Sequence, residues 1–380
     1  MKAADPASHD VRTPGSDMPH VLLLTRYQRL GAASRVRFLQ FLPFLDREGF
    51  TFDILPLLDD DYIRAIYQGG RPRLWPIVRA YGRRIGALLS RRKYDFIWIE
   101  KEALPWLPAW LEAVLLSDLP YVVDIDDAWF LHYDSHRSMM VRGVLGGKIA
   151  ALFQRCALAI VGNAYLADYA RRVGAPRVEL IPSTIDLVRY TGKSWATPDR
   201  AAKRGPIVIG WIGTPVTAPY LSTIEPALRA VLSAGDSILH VIGAPIPAGL
   251  ADLPAKSIAW DEITEVEEIS RFDIGIMPLP NDDWAKGKCG YKLLQVMAAA
   301  RPVIGSALGA NLDIVQNGQN GFLAGSPAEW RSAFERLIGN AELRTRIGEA
   351  GRRTVEQRYA LAGAAERLAT VLRQAMRGRA

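Results

Sequence analysis

The sequence predicts an α/β protein made of two doubly wound parallel domains facing each other across a cleft. Three observations lead there. Short, continuously apolar runs such as "HVLLLT" (20–25) and "LAIVGN" (158–163) alternate with helical patterns, as parallel strands covered on both faces do. The alternation stops at a polar, basic stretch, "TGKSWATPDRAAKRGP" (191–206), and then restarts, which reads as a linker. The chain has 380 residues, 49% hydrophobic and 23% charged, enough for two to three domains with full cores.

In the first half the strands are expected at 20–25, 50–57, 94–100, 121–126, 158–163 and 178–183, with a helix from about Ser34 after the first. In the second half they fall at 207–213, 238–243, 257–260, 273–279, 302–307 and 321–325, with helices near 220–233, 264–271 and after Gly290. The units are a tail at 1–19, domains at 20–197 and 206–360, and a final helical segment at 361–380. The tail is polar, with Asp5, Asp10 and Asp17 and no apolar run, so it reads as disordered and not as a secretory leader. The most apolar stretch, "LPWLPAWLEAVLL" (104–116), contains two prolines and Glu112. It is shorter than the ~20 apolar residues that cross a bilayer. Cys156 and Cys289 form no CxxC pattern, so they read as reduced thiols of a cytoplasmic protein, with no zinc site or disulfide framework. The net charge of +7 suits an anionic partner such as a nucleotide, an acidic lipid or nucleic acid.

Four stretches carry candidate chemistry. In "KGKCGYKLLQVMAAARPVIG" (286–305), Lys286, Lys288 and Lys292 crowd the start of an otherwise apolar helix. Ammonium groups there oppose the helix dipole, so an anion belongs among them, and a diphosphate is the natural candidate. Gly287 and Gly290 let the loop turn tightly, and Lys288, Lys292 and Gln295 are expected on one helix face. In "RYQRLGAASRVR" (26–37), Gly31 leads into a second helix start facing the cleft, with Arg35 and Arg37 in its first turn. In "VVDIDDAWF" (122–130), Asp124, Asp126 and Asp127 crowd the end of a buried strand. They are suited to holding sugar hydroxyls, to acting as a base, or to capping the next helix. A metal fits less well, because no further Asp or His cluster has ligand spacing.

The fourth stretch, 62–94, holds eight arginines and Lys93 with no acid. Leu74, Ile77, Val78, Tyr81, Ile85, Leu88 and Leu89 follow helical spacing, and this stripe is expected to pack on the domain. Arg79 and Arg83 lie opposite it, suited to resting on an acidic membrane surface. No aromatic platform or reading motif accompanies the charge, so nucleic acid is not the expected partner. No GxGxxG with a following acid appears, which argues against a dinucleotide oxidoreductase.

Together these residues resemble the retaining glycosyltransferases of family 4 (glycosyl transferases group 1), whose architecture of two Rossmann-like domains is called GT-B. The resemblance runs from about residue 20 to the C-terminus. "LQVMAAARPVIGSALGANLDIVQNGQNGFLA" (294–324) is similar to the family's "LEAMAxGxPVVAsxxGGxxEIVxxGxxGxLv", and "IPSTIDLVRY" (181–190) to "IPNGVDxxrF". The resemblance implies an N-terminal acceptor domain, a C-terminal nucleotide-sugar donor domain, and a last helix that returns to the first domain. Taken with the local readings above, Gly31, Arg35, Gly213, Thr214, Lys288, Gly290, Tyr291 and Gln295 are expected to bind the donor, and Asp126, Asp127 and Lys292 to act at the reacting centre.

The departures are specific. The family's Glu-x7-Glu becomes Gly287 and Gln295, and its usual Arg and Lys after the first strand of the second domain are missing from "WIGTPVTAPY" (211–220). Lys288 and Lys292 are expected to neutralise the donor diphosphate in place of that pair, with Arg35 as a helper. A His-Asp pair of the family falls at Asp126-Asp127. The implied reaction moves a sugar from a nucleotide diphosphate to an acceptor hydroxyl with retention, without a cofactor or metal. The basic first domain points to a lipid-linked acceptor at the inner membrane face or a growing cell-surface polysaccharide, so cell-surface glycan or glycolipid assembly is the expected setting. The alternatives are a GT-B sugar-nucleotide epimerase or hydrolase, and a non-catalytic nucleotide-sugar binding protein.

Overall fold

A computed structural model describes residues 18–191 and 205–377. The expected tail up to residue 17 and the expected linker from 192 to 204 lie outside the described residues, as do the last three positions. Two six-stranded, wholly parallel sheets form the frame. The first runs through β1 (His20–Leu24), β2 (Thr51–Ile54), β3 (Phe96–Glu100), β4 (Tyr121–Ile125), β5 (Leu158–Val161) and β6 (Val178–Leu180) in the order β2-β1-β3-β4-β5-β6. The second holds β7 (Ile207–Ile212), β8 (Ser237–Ile242), β9 (Ala255–Ile258), β10 (Ile274–Met277), β11 (Val303–Ser306) and β12 (Phe322–Ala324) in the order β12-β11-β10-β7-β8-β9.

The continuous apolar runs are explained by burial on both sides. Leu22, Leu24, Ile97 and Ile99 enter the core on one face of the first sheet, while Val21, Leu23, Phe96 and Trp98 enter the core on the other. In the second sheet Ile209 and Trp211 point one way, and Val208 and Ile212 the other. Each order reverses direction once, between β1 and β3 and between β7 and β10. The carboxyl ends of these strands are where such sheets bind ligands.

Three elements differ from expectation. The β9 edge strand lies at Ala255–Ile258, earlier than 257–260, because its middle residues Lys256 and Ser257 are exposed and carry no apolar signal. The helix expected from Ser34 is a single α-turn (Ala32–Ser34), a π segment (Arg35–Leu39) and a separate helix, Leu42–Arg47. Pro43 in the first turn of that last helix has no N–H to continue the earlier ladder. The Leu74–Leu89 helix is rolled relative to its predicted stripe. It buries Ala80, Arg84 and Leu88, while Leu74, Val78 and Leu89 face solvent.

Arg84 explains the roll. Its guanidinium donates to the carbonyls of Ala103 (2.7 Å), Leu55 (2.6 Å) and Thr25, so it ties together the chain where it leaves β1, β2 and β3. The last helix, Leu361–Arg377, buries Leu361, Ala365, Leu368, Leu372 and Ala375 beside Val21, Phe38 and Phe41 of the first domain. That spacing of four and three is one helix face. No helix among the described residues is long and apolar enough to cross a membrane.

Candidate active site

The first domain supplies a wall of alternating charge at the ends of β3 and β4. Past Glu100 the chain turns through Lys101, which holds φ at 65° and is buried. Its ammonium lies 3.2 Å from Asp126 and 3.8 Å from Asp127. Burial alone would raise the Asp126 carboxyl, but Lys101, and after it Arg37 and Lys288, outweigh burial and hold it below the usual range. Asp126 is therefore a fixed anion.

The three clustered aspartates do not act together. Asp124 is 2% exposed and receives both Nε (3.0 Å) and Nη2 (2.7 Å) of Arg37, whose Nη1 donates to the Ile181 carbonyl at 2.6 Å. Burial pushes Asp124 up to about 6 even so. Arg37 thus turns inward from the π segment and does not face the cleft. Among the described residues no group of three or more His, Cys, Asp and Glu side chains is placed to hold a metal ion.

The second domain supplies the facing wall. Gly290, at φ 69°, caps the Tyr291–Ala298 helix in the left-handed conformation that favours glycine. Lys292 in its first turn reaches Thr217 Oγ1 at 3.1 Å and lies 4.1 Å from the centre of the Trp211 ring. Among the described residues it has no carboxylate partner, and burial, with Lys288 adding repulsion, depresses its ammonium to about 7. Gly213 leaves room for it: a Cβ there would stand 2.4 Å from Lys292 Nζ. Gln295, 3% exposed, lines the cleft one turn further on.

The other two lysines differ from expectation. Lys288 precedes the helix and crosses to the first domain, where it meets Asp127 at 2.8 Å. It therefore does not share a helix face with Lys292. Lys286 pairs with Asp283 at 2.8 Å on the exposed side.

The two walls are in contact. Asn163, the cap of the Ala164–Arg172 helix, donates to the carbonyls of Lys286 (3.2 Å) and Lys288 (3.1 Å). The Cys289 thiol donates to the Asp126 carbonyl at 3.0 Å. At the far lip Arg29 forks onto Glu262 (2.9 and 2.7 Å), and Arg35 lies over the Trp260 ring at 4.6 Å. A cavity of about 870 Å³ remains between the domains. Every residue singled out from the sequence as catalytic or donor-binding lines it except Gly31. Gly31 instead permits close packing on Tyr27, where a Cβ would approach to 2.3 Å.

Gly287 shows how tightly the loop docks: a Cβ there would sit 2.5 Å from the Ala128 backbone nitrogen of the other domain. Gly287→Ala is expected to prop the domains apart and raise the donor KM at least tenfold. Small-angle scattering should show a more open molecule while the melting temperature changes little.

Sequence reasoning missed Lys101, Trp211, Thr217 and Trp260. Lys101 had a readable signal, a lone cation directly after a buried strand. The others depend on which side chains the fold brings to Lys292 and Arg35.

Comparison with known proteins matches the second domain. The family described as glycosyl transferases group 1 matches residues 217–340. No curated protein matches the chain. Among solved structures, HepE of Anabaena in complex with UDP-glucose is similar at 16% identity and a TM-score of 0.69, over 94% of this chain and 100% of that one. Sucrose-phosphate synthase from Thermosynechococcus elongatus is similar at 15% identity and a TM-score of 0.67, over 94% and 98%. A glycosyltransferase from Rickettsia africae is similar at 11% identity and a TM-score of 0.66, over 96% and 100%. The two sheets, their strand order and the cleft between them are those of the GT-B fold, and the second domain is where the chain matches the glycosyl transferases group 1 family model.

Proposed function

We propose that the protein transfers a sugar from a nucleotide diphosphate sugar to an acceptor hydroxyl, with retention of anomeric configuration. One observation carries this reading: Lys292, a half-buried cation with no carboxylate partner among the described residues, stands at a helix start inside the interdomain cavity. An ammonium placed against the helix dipole in low dielectric is stabilised by an anion, and a diphosphate supplies one that also accepts from free backbone amides. The UDP-glucose complex of HepE supports the same class of donor.

In this reading Lys292 and the first amides of the Tyr291–Ala298 helix hold the diphosphate as it leaves. Arg35 and Tyr291 close the donor side, with Gly213 and Thr214 beside them. Asp126 and Asp127 accept from hydroxyls of the sugar or acceptor, and Gln295 accepts from or donates to them. Lys288 then serves the donor indirectly, by pairing with Asp127 and keeping the domains closed. The departing phosphate oxygen takes the acceptor proton on the same face, so catalysis is positioning plus electrostatic stabilisation. Closure keeps water from the donor. No metal is required when lysine neutralises the charge. The acceptor is a glycan or a lipid-linked glycan of cell-surface assembly, used at the cytoplasmic membrane face.

A thermal-shift screen over nucleotide diphosphate sugars tests this, since a ligand of the folded state raises the melting temperature by mass action. One donor should stand out. NMR of the product with acceptor present should then show the donor's anomeric configuration, and turnover should persist in EDTA. An inverted product removes the front-face course. A shift without turnover, whatever acceptor is offered, leaves a binding protein.

A further inference from the structure

The Leu74–Leu89 helix presents an apolar face to water. Leu74 (76% exposed), Trp75 (75%), Val78 (57%) and Leu89 (64%) all point outward. At about 100° per residue they share an arc of roughly 100°. Arg79 and Arg83, both exposed, flank that arc. Behind it a groove of about 690 Å³ opens between this helix and the Asp60–Tyr67 helix, and Arg71, Arg73, Arg79 and Arg83 line it. Among the described residues none of these four has an acidic partner. The acids nearby are engaged: Asp59 caps the Asp60–Tyr67 helix through the Tyr62 amide (2.9 Å), and Asp61 pairs with Arg64 (2.7 Å).

We infer that this face docks the protein on an anionic lipid bilayer, with lipid phosphates at the groove and Leu74, Trp75 and Val78 resting among the headgroups and upper acyl chains. A bilayer satisfies both halves of the face at once, apolar side chains and uncompensated cations. A soluble polyanion would neutralise the arginines and leave the apolar arc in water. Through Arg84 the same helix is bonded to the chain at the carboxyl ends of β1, β2 and β3, so docking would hold the mouth of the cleft near the membrane. The inference is independent of the proposed transfer reaction, because vesicle binding requires neither donor nor turnover.

Co-sedimentation with phosphatidylcholine vesicles, with and without phosphatidylglycerol, provides the test. The protein should partition onto the anionic vesicles only, and less so as salt rises. Arg79→Gln with Arg83→Gln should lower the partition coefficient about 25-fold, from roughly fivefold per removed charge. Leu74→Ser with Trp75→Ser should also lower it, while leaving binding of soluble inorganic polyphosphate unchanged. All four positions are exposed, and an unchanged melting temperature certifies the fold of each variant. Equal partition onto neutral and anionic vesicles overturns the inference, as does indifference to either pair. Loss of binding in the arginine pair alone, matched by loss of polyphosphate binding, would assign the groove to a soluble polyanion instead.

Discussion

Lys292→Met is expected to weaken donor binding by at least about thirtyfold and to abolish the proton uptake that accompanies binding in the parent protein. Removing one partner of a buried charge pair costs roughly 2–5 kcal/mol, much of it from the charge left behind, and each ~1.4 kcal/mol is tenfold in affinity. Here the stranded charge is the donor diphosphate.

The pH dependence follows from the ammonium's depressed value of about 7, caused first by burial and then by Lys288. Below that value Lys292 is charged in both the folded and the unfolded chain, and the fold carries the whole burden of burying it. Above it the unfolded chain keeps the proton while the folded one releases it, so without ligand this residue makes stability rise with pH until the ordinary lysine value near 10.4. A diphosphate restores the charge. Binding above pH 7 therefore takes up a proton, and donor affinity falls by up to tenfold per pH unit. Calorimetry in two buffers of different ionisation heat measures the uptake directly. If the methionine variant keeps its donor affinity and its uptake, the diphosphate lies elsewhere.

The frame was legible because parallel strands buried on both faces leave unbroken apolar runs; the exposed edge strand β9 lacks such a run and was placed two residues late. β2 is shorter than its run, ending at Ile54 before Leu55 and Pro56. What sequence could not give was direction. Helical periodicity finds an apolar arc on residues 74–89 but not which side meets the domain, and the bonds from Arg84 Nη1 and Nη2 to strand-end carbonyls turned that residue inward. Partner choice was likewise hidden. Arg37 meets Asp124 and Lys288 meets Asp127 across long chain separations, so spacing within one motif misplaced both cations. Lys292 was read correctly as a cation at a helix start, since that local electrostatic conflict needs no tertiary knowledge.

Lys148→Met is expected to destabilise the first domain by about 3–5 kcal/mol, the usual result of breaking a buried charge cluster from one side. Lys148 is fully buried, with Glu102 and Glu112 each 2.8 Å from its ammonium and the Leu104 carbonyl at 2.7 Å. Burial already pushes Glu112 above the ordinary glutamate value, and its Oε2 has no hydrogen-bond partner among the described residues. Without Lys148, two carboxylates face each other in a dry core. At about 2–4 °C per kcal/mol for a domain of this size, the first-domain melting temperature should fall by roughly 6–20 °C. Glu102 also accepts from Trp129 Nε1 at 2.8 Å and from the Tyr133 hydroxyl at 2.9 Å. It therefore anchors the turn that carries Asp126 and Asp127, and transfer should fall even at temperatures where the variant is folded. Adding Glu112→Leu to Lys148→Met removes one stranded acid and leaves Glu102 with Arg26, 3.5 Å away. The double variant should recover part of the stability that the single one loses. If instead the two changes add, the carboxylates are not coupled through Lys148, and the cluster is not what fixes the turn that carries Asp126 and Asp127.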